Sequence, residues 1–260
     1  ACHEFLAAGY VTGSETLLKD IRQVQAGEIL SLSGEDVRKK FYFTFRSIGI
    51  LEFEYEDLRS ILIKLLDKVF KKFIDSLNGN VVCVSLSGGF DSRLIAVMLK
   101  RFHYDKVICM SYGRKDNPEM TLAEKTAAEL GFQWININYT NDMIHNYMDN
   151  EFLDFYKYSS NLTSMFFMQD YFAAKYLKEN KIIPDSAIIA TGHAGDFLAG
   201  SQLNKHGNIF SEESLRGIAD RIYRIKYNYK QPPSSVKEKL IQRIEKSISE
   251  KFTGNKDLAF

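Results

Sequence analysis

From residue 84 to residue 92 the chain reads Val-Ser-Leu-Ser-Gly-Gly-Phe-Asp-Ser. Two adjacent glycines let a backbone approach a ligand closely, and Ser87 and Ser92 add hydroxyls to such an approach. The helix expected after them would point its free N–H groups at an anion. An acid inside a phosphate cradle is repelled unless a divalent cation lies between, which makes Asp91 a magnesium-ligand candidate. The competing reading is a plain strand-to-helix turn with a capping aspartate. The flanking elements favour the cradle, because chance matches rarely fall between a buried strand and a helix.

Those elements are legible around the loop. Val81-Val82-Cys83-Val84 is a continuous apolar run of the kind a parallel strand buried on both faces requires. Before it, Leu58, Ile61, Leu62, Leu65, Leu66, Val69, Phe70 and Phe73 form one apolar helical face. After it, a helix runs through Leu94 to Leu99, a strand through Val107 to Met110, a helix over about 119–130 closed by Gly131, and a strand from Trp134 to Ile137. Residues 141–180 read as helical and aromatic, and Ala187-Ile188-Ile189-Ala190 returns as a buried strand. Strand and helix alternate, so the fold class is α/β, a doubly wound parallel sheet with right-handed crossovers. Residues 1–45 read instead as short strands and turns, with period-two alternation at Glu28 to Leu32. A final helix carries Val236, Leu240, Ile241, Ile244 and Ile248 on one face after the break at Pro232-Pro233.

Composition narrows the function classes. The 260 residues carry 34 Lys and Arg against 33 Asp and Glu, a net charge of +1 that gives no electrostatic reason to expect nucleic acid as a partner. Arg221 to Lys230 interleaves charge and aromatic rings, but a solvated helix face with its rings turned inward explains that pattern better than an RNA surface. No apolar run approaches a membrane span, and no basic segment precedes an apolar one as in a secretion signal. Cys2, Cys83 and Cys109 show no metal or disulfide spacing. A reducing, cytoplasmic setting is the expectation, and the Asn161-Leu162-Thr163 sequon is then a chance match.

The loop at 84–92 resembles the SGGxDS pyrophosphate loop of the nucleotide α-hydrolases that release pyrophosphate from ATP. Three further stretches narrow the resemblance to the asparagine-synthetase-like family. Residues 9–32, GYVTGSETLLKDIRQVQAGEILSL, resemble the end of its glutaminase half. Pro118-Glu119 through Gly131 resembles the helix after its second nucleotide-binding strand, and Thr191-Gly192-His193-Ala194-Gly195-Asp196 resembles its second signature loop. The resemblance implies residues 1–45 as the remnant of a glutaminase-like domain and 52–260 as an ATP-binding synthetase domain of the adenine nucleotide α-hydrolase type.

Carried over residue by residue, Leu86, Ser87, Gly88, Gly89, Asp91 and Ser92 would hold the ATP phosphates and the ribose edge. Ser111 and Tyr112 would lie near the adenine, beyond the carboxyl end of their strand. Thr191 and Gly192 would meet the nucleotide from the other side, and Asp91 and Asp196 would share Mg2+. His193 and Glu119 are the catalytic candidates. An imidazole at 193 could take the proton of an amine attacking an acyl-adenylate, or could simply hydrogen-bond the loop, and both readings stay open. His193 and Phe197 depart from the pattern of asparagine synthetases toward the β-lactam-forming branch. Cys2 follows Ala1 rather than opening the chain, so a structural thiol is expected there and not a glutaminase nucleophile.

The implied activity is amide formation by carboxylate adenylation, of asparagine synthase type, with aspartate or a related acid as carboxylate and ammonia or an amine as nitrogen donor. The alternatives are a tRNA-modifying ATP pyrophosphatase and a nucleotide-binding fragment without complete catalytic machinery. The oligomeric state stays open, a homodimer included.

Overall fold

The computed structural model describes residues 1–43, 53–193, 195 and 214–251. In chain order the elements are α1 (Cys2–Ala8), β1 (Glu28–Ser33), β2 (Asp36–Phe41), α2 (Tyr55–Ser76), β3 (Val82–Ser85), α3 (Phe90–Arg101), β4 (Val107–Gly113) and α4 (Pro118–Leu130). They continue as β5 (Gln133–Asn138), α5 (Asn141–Tyr147), α6 (Asn150–Ser160), α7 (Met168–Glu179), β6 (Ile188–Ala190), α8 (Leu215–Lys226) and α9 (Ser234–Lys251). The chain divides into two compact units: Ala1–Leu51 with Leu153–Phe166 and Leu203–Phe260, and Glu52–Phe152 with Phe167–Gln202.

The second unit is the α/β body. Its four-stranded sheet has the order β5-β4-β3-β6, and every pairing in it is parallel. The alternation of side chains explains why the strands are apolar throughout. Val82, Val84, Val107 and Cys109 pack to one face with Ala96 and Leu99 of α3 and Ala123 and Ala127 of α4. Cys83, Ile108 and Met110 pack to the other with Ala173 and Leu177 of α7. Both faces are therefore covered by helices, as the uninterrupted apolar strands require. Burial pushes the thiols of Cys83 and Cys109 up to about 12, so both act as inert packing. The chain steps outward from β3 through β4 to β5 and then returns to the far side of β3 as β6. The reversal of strand order thus falls beside β3.

The helix ends follow local chemistry. The Asn117 side chain accepts from the Glu119 N–H at 3.0 Å, Pro118 opens α4, and Gly131 closes it in the left-handed conformation at φ 70°. Nearby, Lys175 of α7 binds Asp149 at 2.6 Å and Glu151 at 2.9 Å. Burial alone would lower its ammonium, but the two carboxylate hydrogen bonds outweigh that and raise it.

The apolar face expected of α2 is only partly used. Phe70 is buried, and Phe73 and Ile74 pack against the core, whereas Leu58, Ile61, Leu62, Leu65 and Val69 are exposed.

In the first unit, residues 1–45 hold a helix as well as strands, because α1 occupies Cys2–Ala8. Seven residues are too few for a periodic signal and too short to be helical alone. Tertiary burial sustains the helix: Ala7 and Ala8 pack with Ala219, Tyr223, Tyr227, Leu240 and Ile241. Glu4 on the same helix is 1% exposed and accepts from Thr12 Oγ1 at 2.6 Å, Tyr227 Oη at 3.1 Å and Arg243 Nη1 at 3.3 Å. Tyr223 and Tyr227 are buried, so the charged and aromatic stretch of 221–230 turns these rings inward. Cys2 is exposed, against the structural thiol expected at this position. The strands β1 and β2 pair antiparallel from Glu28↔Phe41 to Ser33↔Asp36, with Leu32, Val37 and Phe41 exposed.

Candidate functional site

The loop after β3 is held by its own hydroxyls. The Ser87 N–H donates to Ser92 Oγ at 3.0 Å, the two hydroxyl oxygens lie 3.1 Å apart, and the Gly89 N–H donates to Ser87 Oγ at 3.1 Å. The serines that could touch a ligand thus first fix the loop's curvature. Gly89 begins α3 without a side-chain cap, so the helix opens toward the loop's concave side with N–H groups available to an anion. Arg93 reaches back to the Gly89 carbonyl at 3.0 Å, its guanidinium 4.5 Å from the exposed Phe90 ring centroid.

Close approach explains the glycines on both sides. A Cβ on Gly88 would meet the Cα and Cγ of Glu119 at 3.3 Å, so the loop rests on the first turn of α4. A Cβ on Gly192 would lie 2.9 Å from the Ser92 nitrogen and 3.1 Å from the Asp91 Cβ. A Cβ on Gly195 would lie 2.3 Å from the Asp91 Cγ. The segment after β6 is therefore laid directly onto the first turn of α3, with the Asp91 carboxylate between them. The two signature loops meet at the carboxyl ends of β3 and β6, where the strand order reverses. Crevices of open α/β sheets form at such points.

Beside this junction lies a cavity of about 560 Å³, within the roughly 300–1,000 Å³ of small-molecule sites. Leu86, Ser87, Ser111, Tyr112 and Glu119 line it, together with Gly113, Arg114, Asn117, Tyr139, Phe167 and Gln169. Its floor is rigid. Ser111 is buried, donates to the Leu86 carbonyl at 2.7 Å and accepts from Trp134 Nε1 at 2.9 Å. Tyr112 and Tyr139 stack with ring centroids 5.4 Å apart, the Tyr112 hydroxyl donates to Asp170, and the Tyr139 hydroxyl donates to the Gln169 carbonyl. Burial raises both phenols, and Asp170 raises Tyr112 further, so both remain neutral donors.

The candidates thus fall into two groups that adjoin through Leu86 and Ser87. Leu86, Ser87, Ser111, Tyr112 and Glu119 line the cavity, while Gly88, Gly89, Asp91, Ser92 and Gly192 form the loop junction. Thr191 directly follows β6. His193 is exposed, and its ring sits edge-on to Phe167, a cavity-lining residue, at 4.9 Å. Asp196 and Phe197 lie outside the described residues. Among the described residues no cluster of three or more His, Cys, Asp or Glu could hold a metal ion. Asp91 fits the manner in which magnesium binds, through one or two carboxylates and the phosphates of its ligand.

Arg114, Asn117, Tyr139 and Gln169 were not among the residues singled out from sequence, yet all line the cavity. Arg114 and Asn117 carried a usable signal, since they follow a buried strand and precede a capped helix. Tyr139 and Gln169 reach the cavity only through tertiary packing.

The family described as Asparagine synthase matches residues 76–248, more than half of the chain, and that span includes both loops. No curated protein matches the chain. Among solved structures, one that resembles it is an NH3-dependent NAD synthetase from Campylobacter jejuni in complex with the nitrate ion. It is 13% identical over 78% of this chain and 99% of that one, with a TM-score of 0.33. Another is a predicted subunit of tRNA methyltransferase from Methanocaldococcus jannaschii, 21% identical over 64% of this chain and 74% of that one, with a TM-score of 0.26. Those TM-scores are too low to transfer any chemistry from either structure.

Proposed function

The chain belongs to the asparagine synthase family, and from that premise we propose that it activates a carboxylate with ATP and converts it to an amide. The observation that carries this reading is the close packing of Gly192 on the first turn of α3, where an added Cβ would lie 2.9 Å from the Ser92 nitrogen, so that the two loops draw together around Asp91. In the first step a carboxylate oxygen of the substrate attacks the α-phosphorus, the bond to the bridging oxygen breaks, and pyrophosphate leaves. In the second, an amine or ammonia nitrogen attacks the acyl carbon and loses a proton, and AMP departs.

The roles of the chain's residues follow from position. The N–H groups at the start of α3 and the loop 86–92 bind phosphate oxygens. Tyr112, Tyr139 and the Ser111 floor offer a neutral, partly aromatic wall to a base. Asp91 would hold Mg2+, with Asp196 as its proposed second ligand, and the ion would supply charge neutralisation at the departing pyrophosphate. Glu119 and His193 flank the cavity and are the candidate acceptors of the amine proton. Aspartate or a related acid is the proposed carboxylate, and the reaction belongs in a cytoplasmic setting. The exposed apolar residues of β1 and β2 support reading residues 1–45 as the tail of a glutaminase-like layer.

The test is calorimetric binding of a non-hydrolysable ATP analogue, with and without magnesium, to this chain and to Asp91→Ala. The expected result is magnesium-dependent binding that the variant loses, followed by pyrophosphate release on adding the right carboxylate. A folded chain that binds no nucleotide under either condition would sink the proposal.

A further inference from the structure

The side chains that line the cavity differ in the hydrogen bonding they have left for a ligand. The Ser111 proton is committed to the Leu86 carbonyl at 2.7 Å. The phenol protons of Tyr112 and Tyr139 are committed to Asp170 and to the Gln169 carbonyl. Their stacked rings therefore offer surface to a flat ligand and no donor to its edge. Arg114 can only donate, and a carboxylate such as that of Glu119 can only accept. Asn117 already accepts from the Glu119 N–H at 3.0 Å through its side-chain oxygen. Gln169 keeps both capacities, since among the described residues no hydrogen bond reaches its side-chain amide.

The position of Gln169 follows from the wall itself. It lies in the first turn of α7, where Tyr139 Oη donates to its carbonyl and Tyr112 Oη donates to the neighbouring Asp170. Farther along α7, Phe172 meets Tyr139 edge-on at 6.0 Å, and Ala173 and Leu177 pack with Cys83 and Met110 of the sheet. The aromatic surface and the turn that carries the amide are thus held at a set separation. Adenine carries a donor, its N6 amino group, beside an accepting ring nitrogen, and a glutamine amide is the complement of that pair. A guanidinium has donors alone and complements an edge of two acceptors instead.

We propose that Gln169 reads the base: its Oε1 accepts from the N6 amino group of adenine and its Nε2 donates to the neighbouring ring nitrogen, while Tyr112 and Tyr139 carry the ring. This inference rests on the nucleotide reading above and adds the residue that makes the site selective for adenine.

The experiment is calorimetric titration with a non-hydrolysable ATP analogue and with its N6,N6-dimethyladenine counterpart, which lacks both amino protons. Wild type should bind the dimethyl compound about tenfold more weakly. Gln169→Ala should bind the parent analogue about tenfold more weakly and no longer distinguish the two. Gln169→Glu keeps the size and the accepting oxygen but loses the donor, so it should bind the parent more weakly and still prefer it. Arg114→Met should leave the discrimination intact. Magnesium pyrophosphate, which has no base, should bind every variant as it binds wild type.

Equal binding of the two analogues by wild type overturns the proposal and leaves the nucleotide site standing. So does a preference that survives Gln169→Ala or disappears in Arg114→Met. A Gln169→Ala chain that also loses pyrophosphate overturns it too, because the effect is then structural. A folded wild type that binds neither analogue overturns the proposed reaction as well.

Discussion

Gly192→Ala would place a methyl carbon 2.9 Å from the Ser92 nitrogen and 3.1 Å from the Asp91 Cβ. The first of these contacts is backbone in the opening turn of α3, which cannot yield without unwinding. The segment after β6 must therefore withdraw from the loop junction. Overpacking against an unyielding neighbour costs about 1–3 kcal/mol, which corresponds to an affinity loss of roughly 5- to 150-fold for a nucleotide gripped by both loops. Gly195→Ala acts differently. Its added carbon falls 2.3 Å from the Asp91 Cγ and 2.6 Å from Oδ1, the free end of a side chain that can rotate away. That variant should keep its magnesium-free affinity and lose the magnesium-dependent increment, whereas Gly192→Ala should lose both. Gly88→Ala is the internal comparison, because its methyl meets Glu119 and Leu122 only at 3.3 Å, and it should lose less than Gly192→Ala. Calorimetric titration with a non-hydrolysable ATP analogue, with and without magnesium, separates the three. Wild-type affinity in Gly192→Ala, or the same loss pattern in Gly192→Ala and Gly195→Ala, would refute the reasoning.

Other consequences concern stability. Ser111→Ala strands the Trp134 N–H without its acceptor and leaves the Leu86 carbonyl without its donor; it should cost about 1–3 kcal/mol in urea unfolding, and Trp134→Phe less because it removes a single contact. Arg243→Leu leaves Glu4, among the described residues, with its Thr12 and Tyr227 donors alone and should lower stability by about 1–3 kcal/mol, below the full cost of a broken buried pair because Arg243 is 37% exposed. The Lys175 hydrogen bond, followed by the Phe152 N–H, holds the Asp149 carboxyl below the usual carboxylate range. A carboxyl depressed in the folded state stabilises fully above its unfolded pKa, near 3.9, and that stability is lost as pH falls through the folded value. Melting temperature followed from pH 7 downward should therefore fall less steeply in Lys175→Met than in wild type at the acid end.

The sheet was legible because its strands are buried on both sides, and Val82 to Val84 or Val107 to Met110 can then be nothing but apolar. The phosphate-type loop was legible for a related reason, since two glycines, three serines and an acid in nine residues leave few other uses. The structure adds that Ser87 and Ser92 bond to each other and to the loop backbone, a role that residue type alone does not separate from ligand contact. The cavity wall was only half visible: Tyr112 follows its strand directly, but Tyr139 joins it through ring stacking across two strands. Helix α1 escaped notice because it is short and owes its form to partners more than two hundred residues away. The α2 stripe was read correctly as apolar, but periodicity says that a face is greasy without saying what covers it.

The Glu4 cluster also has a timetable. Its carboxylate and the Arg243 that neutralises it are separated by 239 residues, so at about 5–20 residues per second the ribosome delivers the second about 10–50 s after the first. Over the same interval Ala7 and Ala8 have no wall to lean on, since Ala219, Tyr223, Leu240 and Ile241 are not yet made. The parallel sheet between them can meanwhile close from neighbours in sequence, β3 with β4 and β4 with β5. Helix α1 is thus made well before the partners that bury it and is among the last of these elements to fold, and a ribosome stalled before residue 243 would display α1 to any chaperone waiting at the exit.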